Sequence, residues 1–226
     1  MRTAAVLPVK RFARAKQRLR ASVTDALRLE LAGAMVEDVL DALARAHAIE
    51  RTILVTGEHT VAHAAHAHAA IVVADGLDTG QPAAASLGVQ RALHEGYQRV
   101  LCVPGDCPAL DPRELDELLD SHARPGVVIL PDRHGAGTNG LLLAPPDAIS
   151  PSFGPGSCER HQQLARAAGV ACRVARVPSL LLDIDTSEDL HALRARLAGH
   201  PERAPRTRAV LAHDERAHVL SVKTPA

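Results

Sequence analysis

The sequence predicts an α/β protein built on a mostly parallel β-sheet flanked by helices. Short apolar segments alternate with amphipathic helical segments along most of the chain. The apolar segments are hydrophobic at consecutive positions rather than at every second one, which is typical of strands covered on both faces. Together these observations predict a Rossmann-like βαβ domain, in which ligands bind beyond the carboxyl ends of the strands.

Six strands and five helices are predicted, in alternation. The strands occupy residues 3–9, 51–57, 70–75, 99–105, 126–132 and 139–145, and the helices 24–48, 82–96, 112–122, 158–168 and 187–198. The longest helix carries an apolar residue at every fourth position, from Leu27 to Leu43. Asp111 and Thr186 are predicted helix caps, so Asp111 is interpreted as structural.

The chain length of 226 residues fits one α/β domain with a short extension. We expect residues 1–199 to form the domain. After Gly199 the composition shifts to Arg, His, Pro and Ala with one weak apolar patch, Ala209 to Ala212. Residues 200–226 are therefore interpreted as a C-terminal tail, partly disordered, part of which is ordered by docking.

The overall composition excludes several classes of partner. Lys plus Arg and Asp plus Glu both number 26, so the formal net charge is zero and nothing favours nucleic acid or an acidic membrane. The four cysteines contain no Cys-x-x-Cys pair and are expected to be reduced thiols. No targeting leader or membrane-spanning stretch is recognised, so a cytoplasmic protein is expected.

A basic segment follows the first strand, where a Rossmann-like domain would bind its ligand. It contains Lys10, Arg11, Arg14, Lys16, Arg18 and Arg20. Neither a P-loop nor a G-x-G-x-x-G motif is present, so this cluster is the candidate for holding a polyphosphate. The alternative is that these side chains form an ordinary solvated surface.

Three carboxylates are candidates for a metal site. Asp106 follows the fourth strand directly after Gly105, and Asp183 and Asp185 alternate on an extended segment before the last helix. One or two carboxylates plus phosphate oxygens are typical ligands of Mg²⁺. Alternatively, Asp106 caps a turn and Asp183 and Asp185 are strand-end and helix-start residues.

Two glycine-rich turns each carry a hydroxyl side chain. The first, residues 133–143, contains Thr138, and the second, residues 152–161, contains Gly154 and Ser157. Backbone N–H groups and a helix N-terminus would stabilise a phosphate or carboxylate there. Each segment alone is also explained by a turn followed by an N-cap serine.

Five segments in order resemble a known enzyme family. They are LPVKRFARAKQRL (7–19), PGDCPAL (104–110), GAGTNGLLL (135–143), FGPGS (153–157) and LDIDTSEDL (182–190). The family comprises nucleotidyltransferases that guanylylate 2-phospho-L-lactate, phosphoenolpyruvate or 3-phospho-D-glycerate in the biosynthesis of a deazaflavin coenzyme. The resemblance covers roughly residues 3 to 198 and implies a molybdopterin-guanylyltransferase-like or nucleotide-diphospho-sugar-transferase-like fold.

The resemblance implies a role for each group of residues. GTP would be bound by Leu7, Pro8, Lys10, Lys16 and Gly80, and the phospho-acid by Thr138, Gly154 and Ser157. The reaction would depend on Lys10, Lys16, Arg18 and Asp106. Mg²⁺ would be held by Asp106 together with the pair Asp183 and Asp185. Which residue of that pair is a direct ligand is left open.

The implied reaction moves GMP from GTP to the phosphate of the acid and releases pyrophosphate. The Ala- and Arg-rich composition points to a bacterial source, which favours phosphoenolpyruvate or 3-phospho-D-glycerate over 2-phospho-L-lactate. We expect the product to pass to a downstream phospho-acid transferase. The oligomeric state is left open, with a homodimer among the alternatives.

Two alternative functions remain open from the sequence. The family often has a Gly-Leu-Asn-x-Ala-Leu segment near the nucleobase, whereas residues 78–88 read DTGQPAAASLG, so a sugar- or molybdopterin-type nucleotidyltransferase is the first alternative. His59, His63 and His66 fall on one helical face, so a metal-binding or regulatory module is the second.

Overall fold

The computed structural model describes residues 1–222, apart from the side chains of Arg14, Ala21 and residues 215–222. The strands are β1 (Thr3–Val9), β2 (Arg51–Thr56), β3 (Ile71–Ala74), β4 (Arg99–Cys102), β5 (Gly126–Pro131), β6 (Thr138–Ala144) and β7 (Cys172–Val174). The α-helices are α1 (Asp25–Arg45), α2 (His59–Ala65), α3 (Gln81–His94), α4 (Pro112–Ser121), α5 (Ser157–Ala167), α6 (Ser187–Ala198) and α7 (Pro205–Val222). None of these helices combines the length and apolar character needed to cross a bilayer.

The strands form one mixed sheet in the order β3-β2-β1-β4-β6-β5-β7. Strand β6 is antiparallel to both β4 and β5, and the other pairs are parallel. This confirms the predicted mostly parallel sheet flanked by helices. Because β6 runs in reverse, its first residue, Thr138, lies at the edge where β1 and β4 end.

The sheet has an apolar layer on each face, as its two-sided strands predict. Along β1, Leu7 and Val9 pack with α1 and α4 on one face, whereas Ala4 and Val6 pack with α3 on the other. Every residue of β1 is buried. The end of a strand this firmly packed is a rigid support for the segment that follows it.

Both predicted caps are confirmed. The Asp111 carboxylate accepts a hydrogen bond from the backbone N–H of Arg113 at 2.9 Å, at the start of α4. Thr186 and Asp189 form a reciprocal capping box at the start of α6. Asp111 lies outside the cleft described below, and its carboxylate also forms an ion pair with Arg203.

Most of residues 200–222, the described part of the predicted tail, form helix α7. Ala204, Val210 and Leu211 are buried in an apolar cluster with Leu31 and Met35 of α1. The carboxylate of Asp38 on α1 accepts hydrogen bonds from the N–H groups of Arg206 and Thr207, capping α7. This part of the predicted tail is therefore ordered by docking on α1, and residues 223–226 lie outside the described residues.

Candidate active site

A cleft of about 520 Å³ opens at the carboxyl ends of β1 and β4. Ten of the predicted site residues line it: Pro8, Lys10, Lys16, Arg18, Asp106, Thr138, Gly154, Ser157, Asp183 and Asp185. Two others, Leu7 and Gly80, do not. The Leu7 side chain is fully buried in the core, and Gly80, at φ +123°, is the N-cap of α3, whose first residue Gln81 reaches the cleft. A role of Leu7 and Gly80 in nucleotide binding stays a prediction.

Lys16 connects the basic segment to two of the predicted acids. Its backbone is in the left-handed region at φ +54°, and its side chain is only 7% exposed. The ammonium group forms an ion pair with Asp106 and another, 3.0 Å long, with Asp185. Burial alone would lower the pKa of Lys16, but the two carboxylates outweigh it and raise that pKa above its ordinary value. Lys16 is therefore a firmly charged cation inside the cleft.

The basic segment is anchored by Arg28 of α1, which the sequence reasoning missed. The Arg28 side chain is almost fully buried and donates to the carbonyl oxygens of Phe12 and Ala15, at 3.0 and 2.6 Å. It also pairs with Asp25 at 3.2 Å. Arg28 lies on a helix that the apolar pattern alone predicts, so only the presence of Arg on a buried face could have signalled this role.

The three carboxylates have different surroundings. Asp106 has one buried oxygen, Oδ1, with no hydrogen-bond partner among the described residues. The Asn139 amide donates to Asp183 at 3.2 Å, and burial together with the charge of Asp106 raises the pKa of Asp183 above its ordinary value. Asp185 is about half exposed and is held by Lys16.

The donor set fits a divalent cation bound by Asp106 and Asp183. Asp106 has a carboxylate oxygen without a partner among the described residues, and its charge disfavours the ionised form of Asp183. A bound cation would give that oxygen a ligand and would stabilise both ionised carboxylates. Among the side chains that the structure describes, no three of His, Cys, Asp or Glu are grouped as a complete metal site. Further ligands would therefore have to come from substrate phosphates and water.

The backbone of the acidic segment is fixed by hydrogen bonds. The N–H of Ile184 donates to the carbonyl oxygen of Asp106 at 3.1 Å, which ties the two acidic segments together. One carboxylate oxygen of Asp189 accepts from the N–H groups of Asp185 and Thr186. The other pairs with Arg133 at 2.7 Å, so the loop after β5 is joined to the start of α6.

The first glycine-rich turn is closed by Asp132. Its two carboxylate oxygens accept from the N–H groups of Ala136 and Gly137, at 3.1 and 3.0 Å. A Cβ atom at position 137 would lie 2.6 Å from Asp132 Oδ2, so this position requires glycine. The turn thereby delivers Thr138 to the cleft.

The second glycine-rich turn opens α5. Gly154 and Gly156 adopt φ values of +120° and +68°, which favour glycine. Ser157 lines the cleft, and its hydroxyl oxygen is buried without a hydrogen-bond partner among the described residues. The Arg160 guanidinium donates to Ser152 and to the carbonyl oxygen of Pro155, and these hydrogen bonds stabilise the turn. Arg160 is another supporting residue that the sequence reasoning missed.

His161 connects the two glycine-rich turns. Its ring is fully buried, with Nδ1 3.1 Å from Thr138 Oγ1 and Nε2 2.8 Å from the backbone nitrogen of Ser152. His161 and Arg160 follow Ser157 closely in sequence. This closeness is the one sequence signal that could have indicated a role for His161.

The histidines considered for a metal-binding module do not form a site. His59, His63 and His66 are all exposed, the first two on α2 and the third in the short 3-10 helix His66–His68. In this described part of the chain, too, no three metal-ligating side chains are grouped together.

A mixed α/β sheet with a cation-rich loop, paired acids and anion-binding turns at one strand edge defines a nucleotidyltransferase-type protein. In solved structures, a chain from Desulfovibrio desulfuricans assigned to the nucleotide-diphospho-sugar transferases superposes with a TM-score of 0.74 at 21% identity, covering 95% of this chain and 96% of that one. This likeness concerns the fold alone. Residues 3–203 match the family described as guanylyl transferase CofC like. The chain belongs to that family.

Similar proteins are named after each of the three phosphorylated acids. A phosphoenolpyruvate guanylyltransferase of Conexibacter woesei is 46% identical, covering 93% of this chain and 96% of its own. A 3-phospho-D-glycerate guanylyltransferase of Phenylobacterium zucineum is 37% identical, covering 82% and 86%. A 2-phospho-L-lactate guanylyltransferase of Methanothermobacter thermautotrophicus is 34% identical, covering 84% and 83%. These matches agree with the resemblance derived from the five segments.

Proposed function

We propose that this protein transfers GMP from GTP to the phosphate of phosphoenolpyruvate or a closely similar phosphorylated acid. The observation that carries the proposal is the convergence of Lys16, Asp106, Asp183, Thr138 and Ser157 on one cleft. Cations, a pair of acids and donors for an anion are the groups that phosphoryl-type transfer requires. Membership of the guanylyl transferase family supports the choice of GTP.

The chemical step needs no protein nucleophile. An oxygen of the acceptor phosphate attacks the α-phosphorus of GTP, a new P–O–P link forms, and the bond from that phosphorus to the β-phosphate oxygen breaks. Pyrophosphate carries away the electron pair. Because the acceptor phosphate is already ionised near neutral pH, the protein contributes positioning and charge neutralisation rather than a strong base.

The triphosphate is assigned to the cations of the basic segment. Lys10 and Arg18 line the cleft and would neutralise charge on the departing pyrophosphate. Lys16 already balances Asp106 and Asp185, so it can share its charge with a phosphate only while remaining close to those acids. Its pKa, raised by those carboxylates, keeps it protonated throughout the working pH range.

Mg²⁺ is proposed as the cofactor, held by Asp106 and Asp183. When bound, the cation would neutralise the phosphate oxygens around the reacting phosphorus. Lys16 pairs with both Asp106 and Asp185. Asp106 is assigned to the metal because its buried Oδ1 has no hydrogen-bond partner among the described residues, whereas the half-exposed Asp185 is assigned to Lys16.

The acceptor is assigned to Thr138, Gly154 and Ser157. The buried, unpartnered hydroxyl of Ser157 and the hydroxyl of Thr138 are the side-chain groups offered to it, with the backbone around Gly154 completing the turn. Phosphoenolpyruvate is favoured because the relative at 46% identity carries that name, and 3-phospho-D-glycerate and 2-phospho-L-lactate follow at 37% and 34%.

An acceptor panel tests this assignment. The protein is incubated with Mg²⁺ and GTP, CTP or ATP, together with phosphoenolpyruvate, 3-phospho-D-glycerate, 2-phospho-L-lactate or a sugar 1-phosphate, and products are detected by mass. We expect a guanylylated phospho-acid, formed fastest from phosphoenolpyruvate. Transfer only to the sugar phosphate, or only from CTP, would contradict the proposal and support the sugar-type nucleotidyltransferase.

Partners and location complete the proposal. A cytoplasmic location suits the use of GTP and the reduced state of the four cysteines, all of which are free. Delivery of the product to a downstream phospho-acid transferase and formation of a homodimer stay predictions. Size-exclusion chromatography with light scattering, with and without the purified downstream enzyme, measures both.

A further inference from the structure

We propose that His161 is a positioning residue of the acceptor site: its Nδ1–H donates to Thr138 Oγ1 and thereby directs the Thr138 hydroxyl hydrogen into the cleft. The inference rests on the proposed function in that the group receiving this hydrogen is an oxygen of the phosphorylated acid. His161 itself would not touch the substrate.

The hydrogen bonds around the ring decide where its proton lies. The backbone nitrogen of Ser152, 2.8 Å away, can only donate, so Nε2 must be the bare acceptor nitrogen. A neutral ring then carries its proton on Nδ1. Since Nδ1 lies 3.1 Å from Thr138 Oγ1, the threonine oxygen is the acceptor of that proton.

The surroundings of the ring keep it neutral. The ring is fully buried and packs edge-on against Phe153, with centroids 5.4 Å apart and planes at 75°. Burial, reinforced by the positive charge of Arg160, lowers the pKa of His161 to about 4. The Arg160 guanidinium is engaged by Ser152 and Pro155 and cannot take over the ring's partners.

The direction of the Thr138 hydroxyl follows from this proton. The Thr138 hydroxyl has one hydrogen. Because His161 Nδ1–H is the donor in the bond between the two side chains, the Thr138 hydrogen is not used in that bond and can point into the cleft that Thr138 lines. An ionised phospho-acid presents only acceptor oxygens, so it needs a donor here. With the proton on Nε2 instead, the Thr138 hydrogen would point at Nδ1, and a lone pair would face the anion.

The same ring also fixes the second acceptor segment. Ser152 precedes the turn that carries Gly154, and its N–H is held by Nε2. One buried imidazole therefore couples the turn around Gly154 to the hydroxyl of Thr138. The Nδ1 bond acts on a side chain that lines the cleft, whereas the Nε2 bond acts on the backbone before the turn, so loss of the Nδ1 donor should weaken acceptor binding more.

The tautomer is measured directly by two-bond ¹⁵N–¹H spectroscopy of the ¹⁵N-labelled protein at pH 7, with the signals of His161 identified by their loss in H161Q. We expect a protonated Nδ1 and a bare Nε2. A proton on Nε2, or a doubly protonated ring, would overturn the proposal whatever the enzyme's substrate.

Two variants separate the ring nitrogens. His161→Asn places an amide donor near Nδ1, and His161→Gln places a carbonyl acceptor near Nε2. We expect H161Q to raise the KM for phosphoenolpyruvate about tenfold, because the donor to Thr138 is lost, and H161N to stay within about threefold of the wild type. The KM for GTP should remain unchanged in both. A larger defect in H161N than in H161Q would contradict the assignment.

A double-mutant cycle links the effect to Thr138. In the Thr138→Val background, H161Q should raise the KM for phosphoenolpyruvate no further, because the hydroxyl it orients is gone. Independent, multiplying effects would overturn the role of His161. Absence of guanylyl transfer by the wild type to any of the three phospho-acids would instead contradict the proposed function, whereas the tautomer measurement would still decide the role of His161.

Discussion

At the scale of single residues, Asp183 and Asp185 show how surroundings divide two similar side chains. Asp183 is partly buried, bonded to Asn139 and exposed to the charge of Asp106, whereas Asp185 is about half exposed and paired with Lys16. The sequence places the two residues at one strand edge, but it contains no information on the ion pair that distinguishes them. That pair joins residues 169 positions apart.

This difference predicts unequal losses on substitution. Asp183→Asn should reduce guanylyl transfer by about a hundredfold or more and raise the Mg²⁺ concentration needed, because the proposed Mg²⁺ ligand is removed. Asp185→Asn, the matched control, should reduce it less than about tenfold. Rates measured across a Mg²⁺ titration check this. Equal losses would contradict the distinction between the two acids, and the reverse order would indicate that Asp185 is the ligand.

A second prediction at this scale concerns the acid sensitivity of folding. The unfolded chain binds a proton at histidine near pH 6.5, whereas the pKa of His161 in the folded protein is about 4. The stabilising contribution is therefore fully present above about pH 6.5 and is lost as the pH falls toward 4.

Urea unfolding at pH 7 and pH 4.5 measures this contribution. On acidification the free energy of unfolding of the wild type should fall by ~1–3 kcal/mol more than that of H161Q, in which no titrating group remains at position 161. All other titrating groups are common to the two proteins, so the difference isolates the ring. Parallel losses in both proteins would mean that His161 does not change protonation on unfolding.

At the scale of elements, the basic segment depends on helix α1. The two short 3-10 helices Phe12–Arg14 and Gln17–Ala21 follow β1, and Arg28 of α1 donates to the carbonyl oxygens of Phe12, in the first of them, and of Ala15, between the two. The segment is thus held by a buried cation rather than by its own secondary structure.

Arg28→Met should raise the KM for GTP by about tenfold and lower the free energy of unfolding by ~2 kcal/mol, because two partly buried carbonyl groups lose a charged donor. Arg20→Met is the matched control, since Arg20 also pairs with Asp25 but is about half exposed. Its KM and stability should remain near those of the wild type. Steady-state kinetics and urea unfolding make the comparison, and similar effects of the two substitutions would contradict the anchoring role.

The predicted elements differ in how well the sequence specifies them. The six apolar strands and five helices appear at close to their predicted positions, because two-sided burial and amphipathic periodicity are local signals. Strand β7 was missed because its three residues lie at a sheet edge, with Arg173 and Val174 exposed. Helix α7 was missed because its partners, Asp38 among them, are on α1 about 170 residues earlier.

At the scale of the whole molecule, the sheet order and the reversed direction of β6 could not be predicted. A strand buried on both faces reads the same in either direction, so the apolar pattern of residues 139–145 left its orientation undetermined. The reversal is nevertheless what brings Thr138 to the edge where Asp106 lies. The resemblance to the guanylyltransferases supplied the list of site residues, and the topology explains how they meet.

The cleft also explains why Asp106 stands at the end of a buried strand. Lys16, Asp183 and Asp106 come from segments about 80 to 170 residues apart, and β4 supplies the fixed point between them. Asp106→Asn removes one partner of the buried Lys16, which Asp185 still neutralises, and also relieves the charge that disfavours ionised Asp183. These effects oppose each other, so we expect the variant to remain folded.

The most direct test of the whole account compares wild type and Asp106→Asn in GTP, Mg²⁺ and phosphoenolpyruvate, following pyrophosphate release and the mass of the product. Asp111→Asn, which alters a nearby acid outside the cleft, is the control, and cooperative thermal unfolding of each variant verifies its fold. We expect a guanylylated product from the wild type and from D111N, and loss of most turnover, about a hundredfold or more, in D106N. Pyrophosphate release by folded D106N at close to the wild-type rate would contradict the account.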